Sequence, residues 1–289
     1  MRIKMNKLKL SLSMLIFGTI GIFVKYIPLS SSTIAMIRGF MGAAFLLLVM
    51  LVSGKKPSMS AIKKNALALL ISGAAIGVNW IFLFEAYNYT SVAVATLCYY
   101  MEPVLLIVLT PFVLKQKLST KKILCVPAAL IGMVLVSGVL SGKQDVSIKG
   151  VALGLCAAVL YTSVVLTNRF LKDISSYDST LVQLFVAALV ITPYNFIVGM
   201  QPTGTVDVKA IIMIVVVGFL HTGLTYYLYF SSMKDLPSET VAIYSYIDPA
   251  FAILLSVFFL HEPMTVSGVV GAVLILGACL TSEIEFKKK

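Results

Sequence analysis

Apolar runs of about 18 to 22 residues, each long enough to cross a bilayer, recur along the whole chain with only short polar connections between them. They predict ten membrane-spanning helices, at roughly 9–27, 33–53, 66–88, 92–113, 121–140, 149–169, 179–198, 209–230, 238–259 and 265–282. The runs do not alternate polar and apolar positions in ~10-residue segments, so a transmembrane β-barrel is excluded. The basic stretch Met1 to Leu10 ahead of the first run resembles a signal peptide. It lacks a small-residue cleavage site, and Lys25-Tyr26 closes the run, so it is read as a retained first span.

The second half of the pattern copies the first. Leu97-Cys98-Tyr99-Tyr100-Met101-Glu102-Pro103 aligns without a gap on Ile243-Tyr244-Ser245-Tyr246-Ile247-Asp248-Pro249. In the same frame Gly77 falls on Gly223, Asn79 on Thr225, Trp80 on Tyr226 and Phe84 on Phe230. The first helices align as well, with Phe17 on Tyr161 and Lys25 on Arg169. Each copy holds five spans, an odd number, so the second enters the membrane from the opposite side. The expected fold is an all-α polytopic membrane protein of two inverted five-helix repeats, 1–140 and 141–289. Inverted repeats recur in secondary transporters, whose substrate sites lie near the bilayer midplane between repeats.

Composition agrees. The chain is 59% apolar and 12% charged, against about 25% charged in a soluble domain. A net charge of +11 would suggest nucleic acid in a soluble protein. Here the basic residues sit in loops: before span one, between spans two and three, between four and five, and after spans six, eight and ten. The opposite loops hold little beyond Lys25, Lys143, Lys149 and Lys209. The positive-inside rule then places both termini in the cytoplasm of a cell whose cytoplasmic membrane the chain spans. The partners expected are the lipid bilayer and a small-molecule substrate, with protons as a possible coupling ion and no nucleic acid; oligomeric state is not legible. Cys98, Cys125, Cys156 and Cys279 all lie within apolar runs and read as small buried hydrophobes.

An acid followed by proline, deep in an apolar helix, is costly once and occurs twice. Glu102 and Asp248 both fall about ten residues into a span, near the midplane, where an Asp costs about 2.5 to 3.5 kcal/mol on insertion scales. The following prolines free the carbonyls of Tyr99 and Ser245. A kink with a free carbonyl beside a carboxyl suits a proton, a cation or a substrate amine; a protonated acid in a purely structural kink is the alternative. Tyr99 and Tyr244, three and four residues before their acids, share a helix face with them. With Trp80 and Tyr226 they offer aromatic faces for an organic ammonium, unless they serve only to pack helices. His221 can relay protons or sit as a hydrogen-bonded core residue, and Asn79 is placed in the same cavity. That cavity is expected between spans three, four, eight and nine. Lys25, Arg38 and Glu85, toward the outer ends of spans one to three, are candidates for an ion-paired gate, with snorkelling as the alternative for Lys25.

No phosphate-binding glycine loop, no Ser/His/Asp set and no metal-ligand cluster is visible, and His221 and His261 are too few for a histidine-rich metal site. No cofactor and no enzymatic activity is expected. Two G-x-x-x-G matches, Gly73/Gly77 and Gly150/Gly154, carry little weight in so glycine-rich a chain.

The doubled five-span unit, Arg38 early in span two and the two acid/proline stretches resemble the EamA family of the drug/metabolite transporter superfamily. Leu260-His261-Glu262 with Gly268 and Gly277 is similar to the family's segment after its penultimate helix. The first copy departs there, with Gln116 where the family usually has an acid. The resemblance implies transport of amino acids, other small metabolites or cationic compounds, often outward and often proton-linked. Export of an amino acid or related metabolite is the leading expectation, import of a small organic cation the alternative, and a non-transporting receptor or scaffold a more distant one.

Overall fold

The computed structural model describes residues 2–90, 92–117, 119–136, 140, 147–200, 202–260 and 266–283. The described residues are helical, with connections of a few residues. The first half contributes α1 (Arg2–Val24), α2 (Ser31–Val52), the short α3 (Met59–Lys64), α4 (Ala66–Tyr89), α5 (Val92–Tyr99), α6 (Glu102–Leu114) and α7 (Thr120–Val136). The second contributes α8 (Ile148–Asn168), α9 (Ser176–Val198), α10 (Val208–Val216), a π-helical segment (Val217–Leu224), α11 (Thr225–Met233), α12 (Ser238–Ser245), α13 (Ile247–Leu260) and α14 (Val266–Glu283). Among the described residues, seven helical segments are long and apolar enough to cross a membrane, and two shorter apolar ones cover 123–135 and 266–278. His261 and Glu262 lie outside the described residues.

Local chemistry sets the helix ends. Ser30, Ser175 and Asp207 accept the amides of Thr33, Asp178 and Ala210, at 3.3, 3.0 and 2.7 Å. Each satisfies a backbone donor that a helix start leaves without a partner. The two acid/proline stretches do more than kink. Proline removes an amide and clashes with the carbonyl four residues back, and both spans break. α5 stops at Tyr99 and α6 starts at Glu102, with Met101 N donating to Cys98 O in a tightened turn. α12 stops at Ser245 and α13 starts at Ile247, with Tyr246 N donating to Ile243 O.

The halves interlock by exchange. α1 packs against α11 and α13 of the second half, and α8 packs against α4, α5 and α6 of the first. The contacts at the breaks are repeat-related. A Cβ on Gly18 of α1 would lie 2.8 Å from the Asp248 carbonyl oxygen. Its counterpart in α8, Thr162, donates its hydroxyl to the Glu102 carbonyl at 3.4 Å. α2 crosses α9 and the π segment, while α7 and α14 pair with each other.

Both G-x-x-x-G pairs do seat helix crossings. Cβ atoms on Gly73 and Gly77 would come within 2.7 Å of Val186 Cβ and the Ala187 carbonyl. On Gly150 and Gly154 they would meet Thr90 and Cys98 at 2.6 and 2.8 Å. Of the cysteines, Cys125 is buried, but Cys156 is exposed on the apolar outer surface rather than in the core.

Candidate functional site

Between the halves lies a cavity of about 600 Å3, within the range of small-molecule sites. Glu102 and Asp248 both line it, together with Arg38, Trp80, Tyr99, Tyr100, Tyr161, Tyr226 and Tyr229. The helix breaks deliver the acids, since each is in the first turn of the helix that restarts after the break.

The two acids differ. Glu102 is 4% exposed and its Oε1 has no hydrogen-bond partner among the described residues. Asp248 accepts the Tyr100 hydroxyl at 3.1 Å. Tyr246, the repeat counterpart of Tyr100, is fully buried and donates its hydroxyl to the Tyr100 carbonyl at 3.4 Å. The Arg38 guanidinium carbon lies 4.4 Å from the Trp80 ring centroid, and its buried Nε has no hydrogen-bond partner among the described residues. Trp80 meets Tyr226 edge-on at 6.3 Å, and Tyr226 meets Phe17 at 5.2 Å. Tyr161 lies 5.9 Å from Tyr99 and stacks on Tyr229 at 6.4 Å. One cavity thus offers two carboxyls, a guanidinium and aromatic faces. A group carrying both charges, or an ammonium alone, meets complementary partners there.

The cavity reaches one end of the bundle, through Val24, Ser31 and Tyr87 near the ends of α1, α2 and α4. The lining does not extend to the other end, where α1 begins, which is basic and is crossed by polar contacts. Arg169 donates Nη1 to the carbonyls of Met233 and Leu236, the latter at 2.7 Å. Lys234 Nζ donates to the Ile174 carbonyl at 2.7 Å, and Asn6 to Asp235 at 2.9 Å. Asn65 donates to the Lys172 carbonyl at 2.8 Å and accepts its amide at 3.0 Å. Lys64, at the end of α3, lies 2.6 Å from Asp173 in the loop between α8 and α9 and holds its carboxyl below the usual value.

Several residues expected at the site lie elsewhere. Asn79 is fully buried and donates to the Ala157 carbonyl at 2.6 Å, so it joins α4 to α8 instead of lining the cavity. His221 contacts Thr19 Oγ1 at 2.7 Å and the Val216 carbonyl at 3.4 Å, also outside the lining. It sits in the π segment, where Thr222, and Thr225 at the start of α11, donate to carbonyls five residues back, at 2.9 and 2.7 Å. Tyr244 is buried but off the cavity. The break at Tyr246 separates it from Asp248, and Ser245 takes the lining position instead. The three gate candidates have separate surroundings. Glu85 accepts the Tyr194 hydroxyl, Arg38 faces Trp80, and Lys25 is exposed at the end of α1.

The lining also takes residues from α1, α2 and α8, beyond the four spans expected. Of these, Phe17 and Tyr161 carried a signal, since they are repeat counterparts. Tyr229 carried none.

The transporter family model described as EamA-like matches residues 8–138 and again 148–282. The chain belongs to the EamA-like transporter family. It is 28% identical over 254 residues to an uncharacterized transporter, YxxF, of Bacillus subtilis, covering 87% of this chain and 81% of that one. It is 26% identical to protein PecM of Dickeya dadantii, over 73% and 72% of the two chains. A crystal structure of another protein superposes with a TM-score of 0.85 over 96% of both chains, at 16% identity, which shows a shared fold. This EamA-like chain is a multi-pass membrane transporter with two copies of the family unit.

Proposed function

We propose that this EamA-like transporter exports an amino acid or a closely related amine-bearing metabolite across the cytoplasmic membrane. It crosses the membrane ten times with both termini in the cytoplasm, and works by alternating access around the Glu102–Asp248 cavity. The observation that carries the reading is the set of repeat-related acids lining one cavity with Arg38. An α-amino acid presents a carboxylate for the guanidinium and an ammonium for the acids. An unpaired charge in so dry a site is unfavourable, so Glu102 exchanges between a proton and the substrate ammonium. That exchange links efflux to protons. The cavity lining extends toward the end away from the basic loops, which supports reading this conformation as outward-facing.

Import of a small organic cation is the second reading, favoured by the aromatic faces beside the carboxyls. Arg38 in the same cavity weighs against it, because a cation gains nothing from a guanidinium.

The test is release of radiolabelled neutral and aromatic amino acids from preloaded proteoliposomes. Efflux faster than from empty liposomes, accelerated by a proton gradient and lost in Glu102→Gln, supports export. Amino-acid release at the empty-liposome rate, with thermal stabilisation by quaternary ammonium compounds alone, would replace it with the second reading.

A further inference from the structure

Two hydrogen bonds cross between the repeats, one in the cavity wall and one in the buried layer behind it, and both use repeat-related tyrosines. Tyr100 donates to the Asp248 carboxylate at 3.1 Å, and Tyr246 donates to the Tyr100 carbonyl at 3.4 Å. Tyr100 precedes Glu102, and Tyr246 precedes Asp248, by the same two positions. Each tyrosine sits in the break between two half-helices. The arrangement is nonetheless lopsided. One acid, Asp248, is tethered by a hydroxyl from the other repeat, while Glu102 Oε1 has no partner among the described residues.

Inverted repeats reach their second access state by exchanging the conformations of the two halves. Applied to these residues, the exchange turns each contact into its counterpart. Tyr246 then donates to the Glu102 carboxyl, Tyr100 donates to the Tyr246 carbonyl, and Asp248 is released. We propose that Tyr100 and Tyr246 are positioning residues that hold one acid at a time. Tyr100 ties Asp248 in the state described here, and Tyr246 ties Glu102 in the opposite state, so that one carboxyl is always free for cargo or proton. This inference rests on the alternating-access reading. It adds which acid is available in which state and names the residues that decide it.

The consequence is a sign. A hydrogen bond to a carboxylate outweighs one to a neutral carbonyl. Each tyrosine makes the stronger bond in a different state, so removing either hydroxyl penalises a different state. Tyr100→Phe disfavours the state described here, and Tyr246→Phe disfavours the opposite one. The difference between the two bond types gives a change of roughly fivefold in the ratio of states, in opposite directions.

Two single cysteines report that ratio once Cys98, Cys125, Cys156 and Cys279 are replaced. Gly21→Cys adds its side chain to the cavity lining where nothing lies within 4 Å. Val165→Cys occupies the repeat-related position in α8 and is fully buried in this state. A membrane-impermeant maleimide is applied from the outside to the first and from the inside to the second. Tyr100→Phe should lower outside reactivity and raise inside reactivity. Tyr246→Phe should do the reverse, and the double variant should return both close to the parent values. Shifts in the same direction, or none, with both cysteines reactive in the parent, overturn the tyrosine exchange and leave alternating access standing. A parent in which Val165→Cys never reacts from the inside overturns alternating access, and the exchange with it.

Discussion

The Arg38 guanidinium sits 4.4 Å from the centroid of Trp80, inside the same cavity as Glu102 and Asp248. Cation–π attraction of this kind contributes about 0.5 to 2 kcal/mol and holds the cation near the acids without neutralising them. Its buried Nε has no hydrogen-bond partner among the described residues, and under the proposed function the substrate carboxylate pairs with this guanidinium. Arg38→Gln should therefore reduce amino-acid flux at least tenfold. Arg38→Lys should rescue little, because an ammonium lacks the planar fork that binds carboxylate in two places. Decarboxylated amines in the same flux assay should lose far less in either variant.

Two glycines on one helix give opposite predictions. A Cβ on Gly18 would lie 2.8 Å from the Asp248 carbonyl oxygen and 3.2 Å from the Ala252 amide, both backbone atoms that cannot yield cheaply. Gly18→Ala should cost about 1 to 3 kcal/mol through overpacking. Gly21 meets nothing within 4 Å, so Gly21→Ala should be neutral or gain up to about 1 kcal/mol from helix propensity. Thermal melts of the purified proteins compare the two directly.

A kink beside each acid, though not the full break of both spans, was legible from Pro103 and Pro249, because proline acts through local covalent geometry. So was the pairing of Glu102 with Asp248, Trp80 with Tyr226 and Phe17 with Tyr161, since all three pairs follow from internal repetition. The wide π turn around His221 was not legible. It depends on how α2 presses on that segment: a Cβ on Gly218 would lie 2.6 Å from Met41 Cβ, and one on Gly223 2.6 Å from the Phe45 ring. Tyr244 was misplaced for a related reason. Four-residue spacing implies a shared face only along an unbroken helix, and this one breaks at Tyr246. The closing contacts of Arg169 were also invisible, because their acceptors are backbone carbonyls, which carry no sequence signature.

His221 should behave as a structural residue. It contacts Thr19 and Val216 and lies outside the cavity lining. His221→Leu should lose about 1 to 3 kcal/mol of stability through the polar groups it leaves without a partner. Its flux per folded molecule should keep the parent's pH profile. A change of coupling without loss of stability would return it to the transport machinery.

Two contacts at the basic end should differ sharply in weight. Arg169 is part-buried against the Met233 and Leu236 carbonyls, and hydrogen bonds from a charged donor contribute about 1.5 to 3 kcal/mol. Arg169→Gln should open that end and raise labelling from the inside about tenfold. Lys64 and Asp173 pair on the surface, with side chains 58% and 77% exposed, where ion pairs contribute little. Asp173→Asn should barely move the melting temperature at pH 7. Lys64 lowers the Asp173 value in the folded state. The small stabilisation is therefore present above the ordinary aspartate value of about 3.9 and lost as pH falls through the lower folded value. The variant and the parent should converge in acid.

The most direct test of alternating access is the reactivity of Ser245→Cys, a near-isosteric change in the cavity wall across the helix break from Asp248. It would be carried in a background without the natural cysteines and probed with an impermeant thiol reagent in right-side-out and inverted vesicles. Alternating access predicts reaction from both sides, with ligands that favour one state raising one rate as they lower the other. Reaction from one side only, under every ligand condition, would contradict the account.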